Sequence, residues 1–504
     1  MPPVKKIGLL GGLVTFIVII LFIDLDPLNP DVTKMAAVAT LMAIWWMTEA
    51  VPLAATSLLP IILFPILGIL DGEKTSSSYI NSVVFLFIGG FLLALAMEKW
   101  NLHKRIALKI ITFFGASLNA IVIGFMAATA FISMWISNTA TAIMMLPIGL
   151  AVITKIENEF GKEVTHNFSV TLMLVIAYAC SLGGLTTLIG TPTNLVFVRV
   201  LKISFPNSPS IGFGNWMLLG IPIAIIMLLF TAFLLTKVFF KYDKSLKIRP
   251  DLIEEEYKSL GKIAFEESIV AIVFSLTVLL WIFRTDMNLG FLVIPGWAKL
   301  FSFSNYLNDG IVAVAMALLL FIIPASKNAD NQRMILDSTI FSKVPWGVIL
   351  LFGGGFAIAE GFTSTGLSQF IGSKLQGITL FSPIVIVILT AFIITFLSEL
   401  TSNTATVQMV LPILASVSVA AQINPLLLMI TATFAASMGF MLPVATPPNT
   451  IAFSSERLKI LEMVKAGFWM NIFGVVVISI LVYLLGTVLF NLNEFPTWAV
   501  TVTK

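Results

Sequence analysis

Apolar stretches separated by short polar segments run along almost the whole chain. Runs such as Ile7 to Ile23, Ile221 to Phe240, Ile269 to Phe283 and Phe473 to Phe490 approach the roughly 20 residues a helix needs to cross a bilayer. Lipid offers the backbone no hydrogen bonds, so such runs predict helices. The pattern predicts eleven spans, at 7–23, 33–50, 53–71, 81–98, 170–198 (broken), 216–239, 265–283, 308–324, 346–361, 426–455 (broken) and 467–490. Two more apolar segments, 117–154 and 382–421, are too long for one simple span, and each carries Ser-Asn-Thr near its middle. They are expected to be re-entrant hairpins, which return to their own side and leave the span count odd. The expected fold class is an all-α polytopic membrane protein.

Composition agrees and narrows the classes. Of 504 residues, 58% are hydrophobic and 11% charged, against about a quarter charged in soluble domains. A soluble protein is excluded, and with no soluble basic domain nucleic-acid binding has no support. Asp24, Asp26 and Pro27 follow the first apolar run in place of a small-residue cleavage site, so that run is expected to stay as a helix rather than leave as a signal peptide. Of the 29 Lys and Arg residues, all but Lys34, Lys74, Arg199, Lys202, Arg284, Lys299, Lys374 and Lys504 fall on the side of the N-terminus in this topology. Short cytoplasmic loops collect basic residues, so the N-terminus is expected inside the cytoplasmic membrane and the C-terminus outside.

The chain repeats itself. A shift of 265 lays FIGGFLLA at Phe87 on FGGGFAIA at Phe352, and SNTATAIMMLPI (Ser137 to Ile148) on SNTATVQMVLPI (Ser402 to Ile413) without a gap. A shift of 255 lays GTPTN (Gly190 to Asn194) on ATPPN (Ala445 to Asn449). Each half holds five spans, so the second enters the membrane from the opposite side and the repeats are inverted. The expected organisation is an N-terminal helix at 1–30, a first repeat at 31–240, a polar cytoplasmic linker at 241–263 and a second repeat at 264–504. Inverted repeats with broken helices are how secondary transporters build a site near the bilayer midplane.

The motifs supply the chemistry of such a site. Polar residues at membrane depth are costly unless they pair or line a cavity. Pro192, Pro447 and Pro448 break their helices, and Gly183, Gly184 and Gly439 loosen the turns before them. Exposed half-helix N-termini attract carboxylates, while loose carbonyls, hydroxyls and the Asn amide oxygen suit a hard cation. Neither hairpin tip nor TPxN turn holds a Lys or Arg, so a dianion bound there must be neutralised by helix ends, dipoles and co-bound cations. That points to cation coupling through oxygens such as those of Ser133, Asn138, Ser398 and Asn403. No His, Cys or Lys stands there to act as a catalytic group, so the chain is not expected to be an enzyme, and no organic cofactor is expected.

Other conspicuous residues have plainer readings. Cys180, the single cysteine, is expected in the core. His103 and His166 are expected in loops and do not make a metal site, and Trp45 and Trp46 are expected to anchor at the membrane interface. The glycine-rich FIGGF and FGGGF should pack spans together, because no GK[ST] follows them. Glu399, whose counterpart in the first repeat is Met134, should either shape the second hairpin electrostatically or pair with a neighbouring donor.

With SNTAT and GTPTN in one half, SNTAT and ATPPN in the other, and WWMTEAVPLAATSLLP at Trp45 to Pro60, the sequence resembles the divalent anion/sodium symporter family, whose members carry dicarboxylates, citrate or sulfate. The resemblance implies a homodimer working as an elevator, with a fixed scaffold and a mobile transport domain. It implies that Ser137, Asn138, Thr139, Ser402, Asn403 and Thr404 contact the substrate carboxylates, helped by Thr191, Pro192, Thr446 and Pro447. One sodium site would use Ser133, Ser137, Asn138 and Gly190, and its symmetric partner Ser398, Thr401, Asn403 and Ala445. Thr193 stands where the second proline of TPPN would be. The expected activity is sodium-coupled import of succinate-class dicarboxylates, with sodium-independent exchange or citrate or sulfate transport as the alternatives within the family.

Overall fold

The computed structural model describes residues 3–115, 117–242, 251–289, 292–326, 333–374, 377 and 381–500. Among them, nine helices are long and apolar enough to cross a membrane, and five apolar helices are shorter. The chain opens with α1 (Pro3–Phe22), α2 (Pro30–Thr48) and α3 (Leu53–Leu67). It continues with α4 (Ser82–Lys99) and an amphipathic helix, α5 (Leu102–Phe114). The first hairpin is α6 (Leu118–Ser133) and α7 (Asn138–Phe160), and the first broken span is α8 (Lys162–Gly184) and α9 (Pro192–Ser204), followed by α10 (Phe213–Phe233).

The second half repeats this order. It comprises α11 (Phe265–Ile282), α12 (Asp309–Ile322), α13 (Trp346–Ser364) and a short α14 (Leu367–Lys374). A second hairpin, α15 (Pro383–Ser398) and α16 (Asn403–Ala420), precedes a second broken span, α17 (Pro425–Ala436) and α18 (Pro447–Phe453), and the long α19 (Ile460–Phe490). Each hairpin turns at its Ser-Asn-Thr and each broken span at its TPxN. Two of the nine long apolar helices are hairpin arms, α7 and α16. Four of the eleven expected spans therefore rest on α2, which carries Asp31 and Lys34, and on the shorter α3, α12 and α17. Of the expected linker, 243–250 lie outside the described residues, with Lys244, Lys247 and Arg249; so do Lys327 and Lys504.

Burial separates the helices that face lipid from those that do not. The residues of α8 from Phe168 to Gly184 are all buried, as is every residue of α17, as befits helices that are apolar all round. These are the symmetric halves that precede the two breaks. By contrast, α1 exposes Ile7, Leu10 and Val14, and α19 exposes Val476, Ile480 and Leu484, rows that only lipid or another apolar surface can cover. The repeats interlock: α6 and α7 pack on α8, with α7 also on α18, while α15 and α16 pack on α17, with α16 also on α9. Each hairpin thus touches both broken spans.

Several residues sit elsewhere than expected. His103 is buried on α5 with Nδ1 3.0 Å from the Met97 carbonyl, rather than solvated in a loop, because the chain re-forms a helix at Leu102. His166 lies on α8, 2.9 Å from Glu462 of α19. Trp46 is a core residue that donates to the Leu53 carbonyl, so a helix contact and not the interface takes its indole, while the half-buried Trp45 packs on α1, donating to Leu9. The glycines pack spans as expected: Gly89 on Ala313, Gly90 on Ile189 and Gly355 on Gln408. Outside the membrane, Lys99 at the end of α4 pairs with Asp337 at 2.9 Å. Hydrogen bonds from Thr339, then that lysine, hold the Asp337 carboxyl at about 2.

Candidate functional site

At the first tip the chain leaves α6 at Ser133 and re-enters helix at Asn138, with Ser137 as N-cap accepting from the Ala140 amide at 3.3 Å. The Asn138 carboxamide then reaches the first break. One of its atoms lies 2.7 Å from Ser133 Oγ, 3.0 Å from the Cys180 carbonyl and 3.3 Å from the Gly190 carbonyl, and with the Ser133 proton given to the Cys180 carbonyl all three face it as acceptors. Ser133 Oγ itself lies 2.7 Å from the Cys180 carbonyl. With nitrogen turned in, the amide donates to this ring. With oxygen turned in, four oxygens converge, a donor set suited to a hard cation.

Glycine makes the approach possible. A Cβ on Gly184 would strike the Asn138 amide, and one on Gly190 would strike the Gly184 backbone. Pro192 starts α9 and Thr191 is its N-cap. The Asn194 amide closes the turn by donating to the carbonyls of Leu185 and Thr187 at 3.2 and 2.7 Å. Ser133, Asn138 and Gly190 thus come together as expected. Ser137 stands beside them, lining a small cavity with Ile189, Trp135 and Phe87, Gly90 and Phe91 of α4. The carbonyl of Cys180 joins the set although its thiol is inert core; sequence offers no sign of a backbone atom's role.

The second tip is built alike but held differently. Asn403 Oδ1 is buried without a partner, and a Cβ on Gly439 would lie 3.1 Å from Ala445 and 3.7 Å from that oxygen. Ser398 Oγ donates to the Thr395 carbonyl at 2.9 Å, and Thr401 bonds Thr406 and the Leu397 carbonyl. Their hydroxyl protons are thus spent on their own hairpin. Thr446 caps α18 through the Asn449 amide, and Asn449 donates to the carbonyls of Gly439 and Leu442 at 3.0 Å each. Thr139, Ser402, Thr404 and Pro447 fall at the two tips and the second break. Thr193, in the place of the missing proline, lies 3.1 Å from Ser437 and ties the two breaks together.

Glu399 does pair with neighbouring donors, and it does so across elements. Its Oε1 accepts from the amides of Phe440 and Met441 at 2.7 and 2.8 Å and from Asn471 at 2.6 Å, and its Oε2 from the Leu442 amide at 3.1 Å. The carboxylate therefore fastens hairpin two to the second break and to α19. Tyr178 of α8 completes the brace, donating to the Phe440 carbonyl at 2.9 Å.

Two hairpins whose tips meet two broken spans, related by an inverted repeat, define a polytopic membrane carrier and not an enzyme. The chain belongs to the family described as the sodium:sulfate symporter transmembrane region, which matches residues 5–492. Over 487 residues, 95% of this chain and 91% of the relative, it is 43% identical to the sodium-dependent dicarboxylate transporter SdcS of Staphylococcus saprophyticus. It is 42% identical over 484 residues, 95% of this chain and 91% of the relative, to SdcS of Staphylococcus aureus. Among solved structures, the Alcanivorax borkumensis YdaH transporter matches with a TM-score of 0.53 at 12% identity, over 89% of this chain and 98% of that one. MtrF of Neisseria gonorrhoeae matches with a TM-score of 0.56 at 13% identity, over 91% and 96%. At those identities the likeness is one of fold.

Proposed function

We propose that this protein imports C4-dicarboxylates such as succinate together with sodium ions. The observation that carries the reading is the acceptor-only ring around Asn138, repeated in looser form by the orphaned Asn403 oxygen. Sodium turns the Asn138 oxygen inward, which frees the amide nitrogen toward the tip for a substrate carboxylate. The helix N-termini at Asn138, Pro192 and Asn403 add partial positive charge to the same region. Cation and anion thereby support each other's binding. Contacts from Ser137, Thr139, Thr191 and Pro192 on one side and Ser402, Thr404, Thr446 and Pro447 on the other hold the two carboxylates. Ser133, Ser137, Asn138 and Gly190 hold one sodium, and Ser398, Thr401, Asn403 and Ala445 the other.

The names of the SdcS relatives favour a dicarboxylate over sulfate. The hairpins, both broken spans, α10 and α19 move as one body against a scaffold of α1–α5 and α11–α14, in a homodimer of the cytoplasmic membrane with the N-terminus inside and the C-terminus outside. The four repeat-based segments, with boundaries at 30, 240 and 263, stand on the same reading. The deciding experiment is uptake of labelled succinate, citrate and sulfate into proteoliposomes under a sodium gradient or in choline. Sodium-driven succinate uptake is expected. Transport of sulfate alone would overturn the dicarboxylate reading, and uptake equal in choline but dependent on internal dicarboxylate would replace the symporter with an exchanger.

A further inference from the structure

A second cavity, of about 160 Å³, is lined by two of the elements that line the pocket at the first tip. Ser82 and Leu86 of α4 and Leu188 of the first break line it. The next positions of the same elements, Phe87 with Gly90 and Ile189, line the tip pocket with Ser137. The two spaces therefore follow one another along α4, and they differ in charge. Arg199 and Lys202 of α9 and Arg284 beyond α11 line the second cavity.

Only one of these cations is in contact with a carboxylate. Arg284 holds Asp309 through Nε and Nη2, at 2.5 and 3.2 Å. Lys202 meets the backbone carbonyl of Ser208. Arg199 Nε is buried without a partner, and no ion pair among the described residues includes Arg199. Glu360 of α13 acts on it electrostatically without forming an ion pair, and a guanidinium with no contact partner in a partly buried cavity is costly, so a transient anionic partner gives it a reason to persist.

We propose that this cavity is an entry site that captures one carboxylate of the substrate before it moves along α4 to the Ser137 tip. Arg199 supplies the hydrogen bonds and Lys202 adds field. The cavity opens where α4 begins, the outer face in the topology proposed above, so it serves uptake rather than release inside. The transport site has no fixed cation and needs sodium to hold a dianion; this one has fixed cations and needs none. The inference rests on the dicarboxylate reading, and sodium separates the two sites experimentally.

Cys180 is the single cysteine and is buried, so S210C puts one reactive thiol on the exposed cavity wall at Ser210. Its labelling by an uncharged maleimide is followed on the full-length protein in nanodiscs, in sodium-free choline buffer. Millimolar succinate should slow labelling several-fold, and neutral succinamide should not. Arg199→Gln should abolish the protection and Arg199→Lys should keep most of it. In proteoliposomes Arg199→Gln should raise the external succinate KM about tenfold, the loss of one charge-assisted hydrogen bond, with sodium half-saturation unmoved. Labelling that ignores succinate, protection by succinamide, protection surviving in Arg199→Gln, or an unchanged KM would each overturn the entry site. Arg199-dependent protection in a protein that carries no dicarboxylate would sink the transport reading and leave the cavity an anion site.

Discussion

Replacing Glu399 tests how the second break is held. The carboxylate satisfies three backbone amides and the Asn471 side chain, all at 2.6 to 3.1 Å, while 3% exposed. Glu399→Ala removes every one of these acceptors, and each buried donor left unpaired costs about 1–3 kcal/mol. Even the lower end gives about 4 kcal/mol for four donors, a large share of the 5–15 kcal/mol by which a domain is stable. Glu399→Gln is the sharper probe. Its amide oxygen can keep the Phe440 and Met441 bonds, but its NH₂ replaces Oε2 and faces the Leu442 amide donor to donor, a loss of about 2 kcal/mol. The residues proposed for the second cation site come from both sides of this clasp, Ser398, Thr401 and Asn403 from the hairpin and Ala445 from the break. Loosening it should weaken sodium activation about tenfold or more while the succinate KM at saturating sodium changes little. Thermal unfolding in detergent and sodium-activation curves of uptake measure the two effects. Wild-type unfolding and sodium dependence in Glu399→Gln would refute the clasp, and equal losses in sodium and succinate affinity would reduce it to general scaffolding.

Four further outcomes are expected. Asn138→Ala and Asn403→Ala should each weaken transport ten- to a hundredfold in apparent affinity, as loss of a hydrogen bond to a charged group costs roughly 1.5 to 3 kcal/mol; normal uptake by a normally folded mutant refutes the shared site. Gly190→Ala should abolish sodium-driven uptake, because its Cβ meets the Gly184 backbone, at an overpacking cost of about 1–3 kcal/mol that calorimetry can read separately. Asp337, held at about 2 against an ordinary 3.8, stabilises its loop above pH 4 and loses that contribution as pH falls from about 4 to 2; hydrogen exchange at 337–343 should rise in that window and be insensitive to it in Asp337→Asn. If three sodium ions accompany each dianion, uptake should accelerate with an inside-negative potential set by valinomycin, gaining about 2.3 kcal/mol per 100 mV, whereas a two-sodium cycle should ignore it.

Much of the scaffold was legible because lipid imposes a simple code. Apolar runs marked the helices, and the constant shifts of 265 and 255 between motifs exposed the repeat and both broken spans. The tips were legible for a different reason: Ser-Asn-Thr inside an apolar hairpin conflicts with its surroundings, and conflict twice in register signals a site. What escaped was decided by packing. Whether Trp46 met lipid headgroups or the Leu53 carbonyl, and whether His103 lay in a loop or under α5, depended on where neighbouring helices crossed. The Cys180 carbonyl was invisible in principle, since every residue has one, and Arg199 reads in sequence as one more basic residue on the outer side.

The departure from symmetry between the repeats is itself informative. At the first tip the position of Glu399 is taken by Met134, whose side chain offers no acceptor for backbone amides; its carbonyl instead accepts the Thr187 hydroxyl. There the turn keeps helical bonds, Leu185 to Ser181 and Thr186 to Gly183, and closes tightly enough that Gly184 touches Asn138. At the second tip three successive amides, from Phe440 to Leu442, turn toward one carboxylate instead. Their partner carbonyls therefore point away from Glu399, and those of Gly439 and Phe440 are taken by Asn449 and Tyr178. A break clasped by a side chain that accepts four hydrogen bonds keeps its shape whether or not a cation is nearby, whereas a break held by an amide that can face either way responds to one. On the sodium-coupled reading proposed above, the first tip is the one suited to respond to a cation and the second the one suited to stay formed.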